Sequence, residues 1–245
     1  IKHHLIHKEL ALNLIHFPNS NRDIQEAMRY LKYEEFLKFQ LTMQYIKLSR
    51  KKNLGIKKQF DQQIIDKFIN ELPFALTTDQ KQAVNEIIED LKSDTTMYRF
   101  VQGDVGSGKT VVGAIGLYAN YLAGFQGALM APTEILATQH FTSLQKLFKD
   151  TNINLTLLTG HLSNKEKQII YQQLSDGKID IVIGTHALFQ EKVNYYKLGL
   201  VITDEQHRFG VNQRKALKEK GQQVDFMVMS ATPIPRTLAI SLYGD

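Results

Sequence analysis

From residue 73 onward, compact apolar runs alternate with amphipathic stretches. Residues 97–101, 127–131, 155–158, 179–183, 198–203 and 226–229 are short and densely apolar, as strands buried on both faces are. Between them, residues 78–91, 109–123 and 134–148 carry helical patterning, and Ser163 with Glu166 opens a further helix that stops near Gly177. Strands alternating with helices predict an α/β fold, a parallel β-sheet flanked by helices with right-handed crossovers. Ligands of such sheets bind beyond the carboxyl ends of the strands.

The first 72 residues follow a different pattern. Leu5, Ile6, Leu10 and Leu14 lie near helical spacing, with His3, His4, His7 and His16 among them. No carboxylate or thiolate stands at a ligand spacing from those histidines, so no metal site is expected there. Pro18 breaks the segment, and Ser20 with Asp23 caps a long helix in which Ile24, Ala27, Tyr30, Tyr33, Leu37, Leu41, Tyr45 and Leu48 recur every three or four residues. That helix is expected to run to about residue 50 with its apolar stripe against another domain. A second helix over 61–70 ends before Pro73. The expected organisation is an α-helical linker segment over 1–72 and an α/β domain over 73–245.

The polar motifs fall at strand ends. Gly103, Asp104, Val105, Gly106, Ser107, Gly108, Lys109 and Thr110 satisfy G-x-x-x-x-G-K-[ST] between a predicted strand and a predicted helix. Glycines let the backbone approach phosphates, and the helix start adds partial positive charge. Lys109 is expected to reach the β- and γ-phosphates of ATP, and the Thr110 hydroxyl to hold Mg²⁺. Asp204 ends a hydrophobic strand downstream, where a second Mg²⁺ ligand belongs, and Glu205 beside it is placed to orient and deprotonate the attacking water. Gln206 and His207 follow where a γ-phosphate sensor or a coupling residue would sit; for His207 a structural role fits equally.

Composition narrows the classes. Apolar residues make up 43% of the chain, enough for a sizeable core, and cysteine is absent, which excludes disulfides and thiolate metal sites. No apolar run reaches the ~18 residues of a membrane span. Net charge is +5: residues 1–72 hold 13 Lys/Arg against 8 Asp/Glu, and residues 73–245 hold 17 of each. Lys47, Arg50, Lys51, Lys52, Lys57 and Lys58 form the densest basic stretch, which reads either as a phosphate-binding patch or as a solvated helix end.

GDVGSGKT, APTEILATQH, GTHAL, DEQHRFGV and SATPIPRTLA, in that order, resemble the first motor domain of superfamily 2 helicases. DEQHRFGV with MSATPIPRTLA is most similar to bacterial branch-migration helicases, and transcription-repair coupling translocases come next. The motifs cover about residues 73–245. IHFP and YLKYEEFLKFQL also resemble the segment that joins a wedge domain to the motor in that family.

The resemblance implies a RecA-like P-loop fold, ATP and Mg²⁺ as cofactors, and branched or duplex DNA as partner. It implies ATP-driven movement on duplex DNA that remodels replication forks and four-way junctions, in a bacterial cytoplasm at the nucleoid. Phe74 and Gln80 match an adenine-reading pair, although Thr77 and Gln80 also form a capping box. Pro132, Thr133, Thr159, Gly160, Thr185 and His186 fall on motifs that touch one DNA strand through its phosphates. Ser230 and Thr232 match the motif that couples hydrolysis to movement, and Arg236 is placed to join it.

Such helicases also carry an amino-terminal wedge domain and a second RecA-like domain that supplies arginine fingers. Neither is readable here, so the chain is expected to be part of a longer polypeptide that binds MgATP and hydrolyses it poorly alone. Two other classes compete. A P-loop kinase would leave SATPIPRTLA unexplained, and a nucleic-acid-binding module with a non-catalytic ATP site would keep the same cradle.

Overall fold

Alternation within each strand decides how the sheet is covered. The computed structural model describes residues 5–50, 55–204 and 223–231. Among the described residues, six strands form one sheet: β1 (Tyr98–Gln102), β2 (Gln126–Met130), β3 (Leu155–Leu158), β4 (Ile181–Gly184), β5 (Leu198–Asp204) and β6 (Asp225–Ser230). All are parallel, in the spatial order β1-β6-β5-β2-β4-β3. Leu129, Ile183, Ile202 and Met229 enter one apolar layer. Their neighbours Ala128, Val182 and Val201, with Phe226 of β6, face the opposite one. Burying each Leu, Ile or Val contributes about 1.5–3 kcal/mol, so the two layers dominate the fold's stability.

The first layer also takes residues from α3 (Gln62–Asn70), α4 (Thr78–Lys92), α5 (Lys109–Leu122) and α6 (Glu134–Leu147). The second is closed by α7 (Asn164–Ser175) and a 3₁₀ turn (His186–Phe189). The predicted capping boxes form at α4 through Thr77 and Gln80 and at α7 through Ser163 and Glu166. Helix α5 lies close on the sheet because it presents glycines there. A Cβ at Gly113 would come within 3.2 Å of Ile202 Cδ1, and one at Gly116 within 3.3 Å of Met227 Cε. That seat sets the start of α5 beside the carboxyl ends of β5 and β6.

A separate unit contains α1 (Lys8–His16) and α2 (Asn21–Arg50). The two helices pack on each other. Asp23 Oδ2 accepts the Ser20 N–H at 3.0 Å and the Asp23 N–H reaches Ser20 Oγ at 3.3 Å, so the expected cap opens α2. Glu34 takes Lys8 at 2.8 Å and Lys38 at 3.0 Å, and these bonds hold its carboxyl below the ordinary range.

Of the expected linker segment, residues 55–72 group with the sheet, because they contribute to its core. Ile65 and Phe68 of α3 are buried, and the Phe68 ring lies 4.4 Å from Tyr118 and 5.7 Å from Phe148.

Lys58 corrects the reading of the basic stretch as a run of solvated or phosphate-binding charges. It is 1% exposed, pairs with Asp225 and donates to the Gly199 carbonyl at 3.1 Å. Asp225 Oδ1 also accepts the Met97 N–H at 2.7 Å, so a single buried pair joins residue 58 to the amino ends of β5, β6 and β1. Burial raises the Asp225 pKa, and the neighbouring lysine offsets only part of that. Lys51 and Lys52 and the side chains of Lys47 and Arg50 lie outside the described residues.

Candidate functional site

The carboxyl edge of the sheet gathers the predicted motifs in two groups. At β1, β6 and β5 stand the loop 103–110, Ser230 and Asp204; at β2, β4 and β3 stand Pro132 and Thr133, Thr185 and His186, and Thr159 and Gly160.

The loop is shaped by its glycines. Gly106 and Gly108 have φ of 82° and 81°, a region that L side chains rarely adopt, and Gly108 is the cap residue of α5. The left-handed cap turns the chain sharply into the helix. The N–H groups of Lys109 and Thr110 open α5 and lack intrahelical partners, as at any helix start. They and the helix dipole make the loop an anion cradle. Lys109 Nζ donates to the carbonyls of Gly103 at 2.7 Å and Asp104 at 2.8 Å, so its charge is folded over the loop. The Gly103 N–H donates to the Ser230 carbonyl at 3.2 Å, which ties the loop directly to the end of β6. Val105, at the loop tip, is 90% exposed, as expected of a residue placed by the loop and not by packing.

Gln80 reaches this loop from α4. Its Oε1 accepts the Thr77 N–H at 2.9 Å and its Nε2 donates to the Ser107 carbonyl at 2.8 Å. One side chain therefore caps α4 and braces the cradle. Phe74, just before it in the chain, is half-exposed.

Asp204 ends β5 on the face that carries α5 and α6, since it shares parity with Ile202. His140 Nε2 lies 2.7 Å from its Oδ2, with the two side chains 11% and 18% exposed. A carboxylate only accepts, so the imidazole nitrogen donates. The ionised carboxylate retains further lone pairs. Its oxygens, like the Thr110 hydroxyl at the start of α5, are the hard donors that Mg²⁺ prefers. The residues present thus fit a magnesium ion accompanying a nucleotide.

His140 stands in APTEILATQH, yet the sequence reading gave it no role. A signal was there: it falls three residues after Ala137 and four before Leu144, both buried. A polar side chain on the buried stripe of a helix needs a partner.

The second group is held by side chains. Thr133 is exposed and caps α6, its Oγ1 accepting the Leu136 N–H at 3.3 Å. Glu134 Oε1 accepts the Gly160 N–H at 2.5 Å, Lys167 Nζ donates to the Gly160 carbonyl at 2.7 Å, and His161 Nε2 lies 2.8 Å from Glu134 Oε2. The loop after β3 is thus pinned from α6 on one side and α7 on the other. Gly160 and His186 are exposed, Pro132 is half-buried, and Thr159 and Thr185 are buried at 8% and 6% exposure. Neither Glu134 nor Lys167 was singled out from sequence. Their partners are 26 and 7 residues away, and nothing local announces the pairing. Glu205, Gln206, His207, Thr232 and Arg236 lie outside the described residues.

Comparison with known proteins agrees with this arrangement. A family model described as DEAD/DEAH box helicase matches residues 77–240. The ATP-dependent DNA helicase RecG of Staphylococcus aureus (strain N315) is 51% identical over 238 residues, which is 97% of this chain and 34% of that protein. RecG of Bacillus subtilis (strain 168) is 50% identical over 236 residues, 96% of this chain and 35% of that one. The chain therefore spans about a third of the length of the curated relatives it matches. The structure of RecG bound to a three-way DNA junction aligns with a TM-score of 0.85 at 46% identity, covering 99% of this chain and 33% of that one. The UvsW helicase of bacteriophage T4 aligns with a TM-score of 0.54 at 17% identity over 77% of this chain and 66% of that one, a likeness of fold alone.

Proposed function

Because the chain belongs to the DEAD/DEAH box helicase family, we propose that it forms the first, ATP-binding half of a RecG-like DNA motor. In this reading the full-length protein hydrolyses ATP to move on duplex DNA and remodels forks and four-way junctions in the bacterial cytoplasm, at the nucleoid. One observation carries the proposal. The loop 103–110, with Lys109 folded over it, is bonded to the end of β6 through Gly103 and Ser230, and Asp204 stands on the next strand.

The chemistry follows from those groups. Loop N–H groups and the start of α5 hold the phosphates, and Lys109 exchanges its two carbonyl partners for phosphate oxygens. Phe74 stacks on adenine and Gln80 reads its edge, giving up its bonds to Thr77 and Ser107 to do so. Thr110 and Asp204 would hold Mg²⁺, which neutralises charge on the phosphates. Glu205 accepts a proton from the attacking water. Gln206, His207, Ser230, Thr232 and Arg236 pass the state of the site to the DNA. That DNA runs along Pro132, Thr133, Thr159, Gly160, Thr185 and His186, touched through its phosphates and not its bases. The second RecA-like domain expected in the full-length protein supplies the arginine fingers, and a wedge domain meets the junction. The two thirds of the relatives' length not matched by this chain leave room for both.

The relatives' shared name, ATP-dependent DNA helicase RecG, favours this reading over a transcription-repair translocase or a module with a non-catalytic ATP site. The test is steady-state ATP hydrolysis by the full-length protein with linear duplex, single-stranded and forked DNA. Strong stimulation by forked DNA is expected. Hydrolysis indifferent to every DNA would contradict the proposal.

A further inference from the structure

The bond between His140 and Asp204 joins by side chains the two groups of motifs at the carboxyl edge, next to the paired strands β2 and β5. His140 sits on α6, seven residues after Thr133, so roughly 10 Å along the helix from its cap. The amino end of α6 carries Thr133, and Glu134 there holds Gly160 at 2.5 Å. Two turns further on, the same helix holds the acid of β5 at 2.7 Å. Ala137 and Leu144, on either side of His140, are fully buried, so α6 is seated by its core face and carries His140 with it.

From this geometry we infer that His140 is a positioning residue, which orients Asp204 for the nucleotide's magnesium and ties that acid to the DNA-contacting helix. The inference deepens the functional reading above and rests on it. Donating one N–H to Oδ2 fixes the carboxylate plane and leaves its remaining lone pairs for the metal. When the phosphates of a DNA strand engage Thr133 and Gly160, any displacement of α6 reaches Asp204 through one hydrogen bond. Since binding couplings are reciprocal, MgATP also changes the affinity for DNA by the same factor.

The test uses the full-length protein and the variants H140Q, H140N and H140L, with D204A and K109A as references. Gln carries an amide N–H to about the position of the imidazole Nε2, whereas Asn is one methylene shorter and Leu has no donor. Affinity for ATP is measured by titration with Mg²⁺ and again in EDTA, each with and without duplex DNA, and folding by thermal unfolding without ligand. H140N and H140L are expected to lose about 10–100-fold in affinity with Mg²⁺, the usual cost of removing a partner behind a metal ligand. Their affinity in EDTA should be unchanged, and the effect of DNA on MgATP affinity should disappear. H140Q should restore both within a few-fold.

Equal behaviour of H140N and H140Q in folded protein would overturn the inference and leave His140 a packing residue. So would loss of affinity in EDTA to the same extent as with Mg²⁺. If wild-type protein shows no Mg²⁺-dependent ATP binding, or D204A and K109A do not weaken it, the functional reading fails and the inference falls with it. If both references weaken binding and H140L does not, the inference alone fails.

Discussion

The two halves of the carboxyl edge are built by different means. At β1, β6 and β5, backbone sets the loop's course through positive-φ glycines, a helix start and a strand-to-loop hydrogen bond from Gly103 to Ser230, with Gln80 and Lys109 bracing its carbonyls. At β2, β4 and β3, side chains do it: Thr133 caps α6, and Glu134 and Lys167 hold Gly160 from two helices. A nucleotide presents the same phosphates every time, so a fixed backbone mould serves it. Under the proposed function, a DNA strand that must be gripped and released is better served by loops on side-chain tethers, each worth only a few kcal/mol. His140 bonds across the two halves through Asp204.

The sharpest separation of the halves comes from chemistry. Glu205→Gln in the full-length protein should slow hydrolysis by about 10²–10⁴-fold, the usual contribution of a general base, while ATP and DNA still bind. Single-turnover hydrolysis at saturating ATP measures this. Near-normal turnover would move the water-activating role to another residue.

Next in size is a change at the opposite end of the sheet, which should damage both halves alike. Lys58→Met leaves Asp225 buried without its partner, which typically costs about 3–5 kcal/mol. Replacing both, as Lys58→Met with Asp225→Leu, should recover most of that. The direction with pH follows from the acid. Without its lysine, Asp225 has a folded-state pKa well above its unfolded one, so the variant's deficit is smallest below the unfolded value. The deficit grows as pH rises through the folded one. Denaturant melts across pH would show it, and equal deficits at all pH values would count against a buried ion pair.

Smaller and confined to the second half is Glu134→Ala. It frees the Gly160 N–H and should weaken DNA binding by about tenfold, the scale of one charge-assisted hydrogen bond, with ATP affinity unchanged when DNA is absent. An equal loss of ATP affinity would mean that the halves are not separable at this residue.

Smallest is Ser163→Ala at the cap of α7, about 1 kcal/mol of stability by thermal melting. The Ser163 hydroxyl and N–H bind Glu166 and hold its carboxyl below the ordinary range. That contribution is complete above the unfolded-state pKa and is lost as pH falls through the lower folded value. The gap between variant and parent should therefore narrow in acid, to what the Ser163 hydroxyl contributes by capping the Glu166 N–H.

The same contrast explains what could be read in the sequence. The strands, the capping boxes at Ser163 and Thr77 and the phosphate loop depend on neighbours within a few residues, and each stands within a residue or two of its expected place. Lys58 with Asp225, Glu134 with Gly160 and His140 with Asp204 are 167, 26 and 64 residues apart. No local spacing encodes such pairs, so Lys58 read as a surface charge and His140 read as nothing. Residues 55–72 misled for a related reason. Their amphipathic pattern shows that α3 has a partner, but not that the partner is the sheet unit.

The central claim is that the loop 103–110 is an ATP cradle whose lysine serves phosphates and not packing. Lys109→Ala in the full-length protein removes a side chain whose ammonium bonds the loop carbonyls of Gly103 and Asp104. MgATP titration of the folded variant tests the claim most directly. The account predicts an unaltered melting profile without nucleotide and loss of measurable MgATP binding; wild-type affinity in the variant would contradict it.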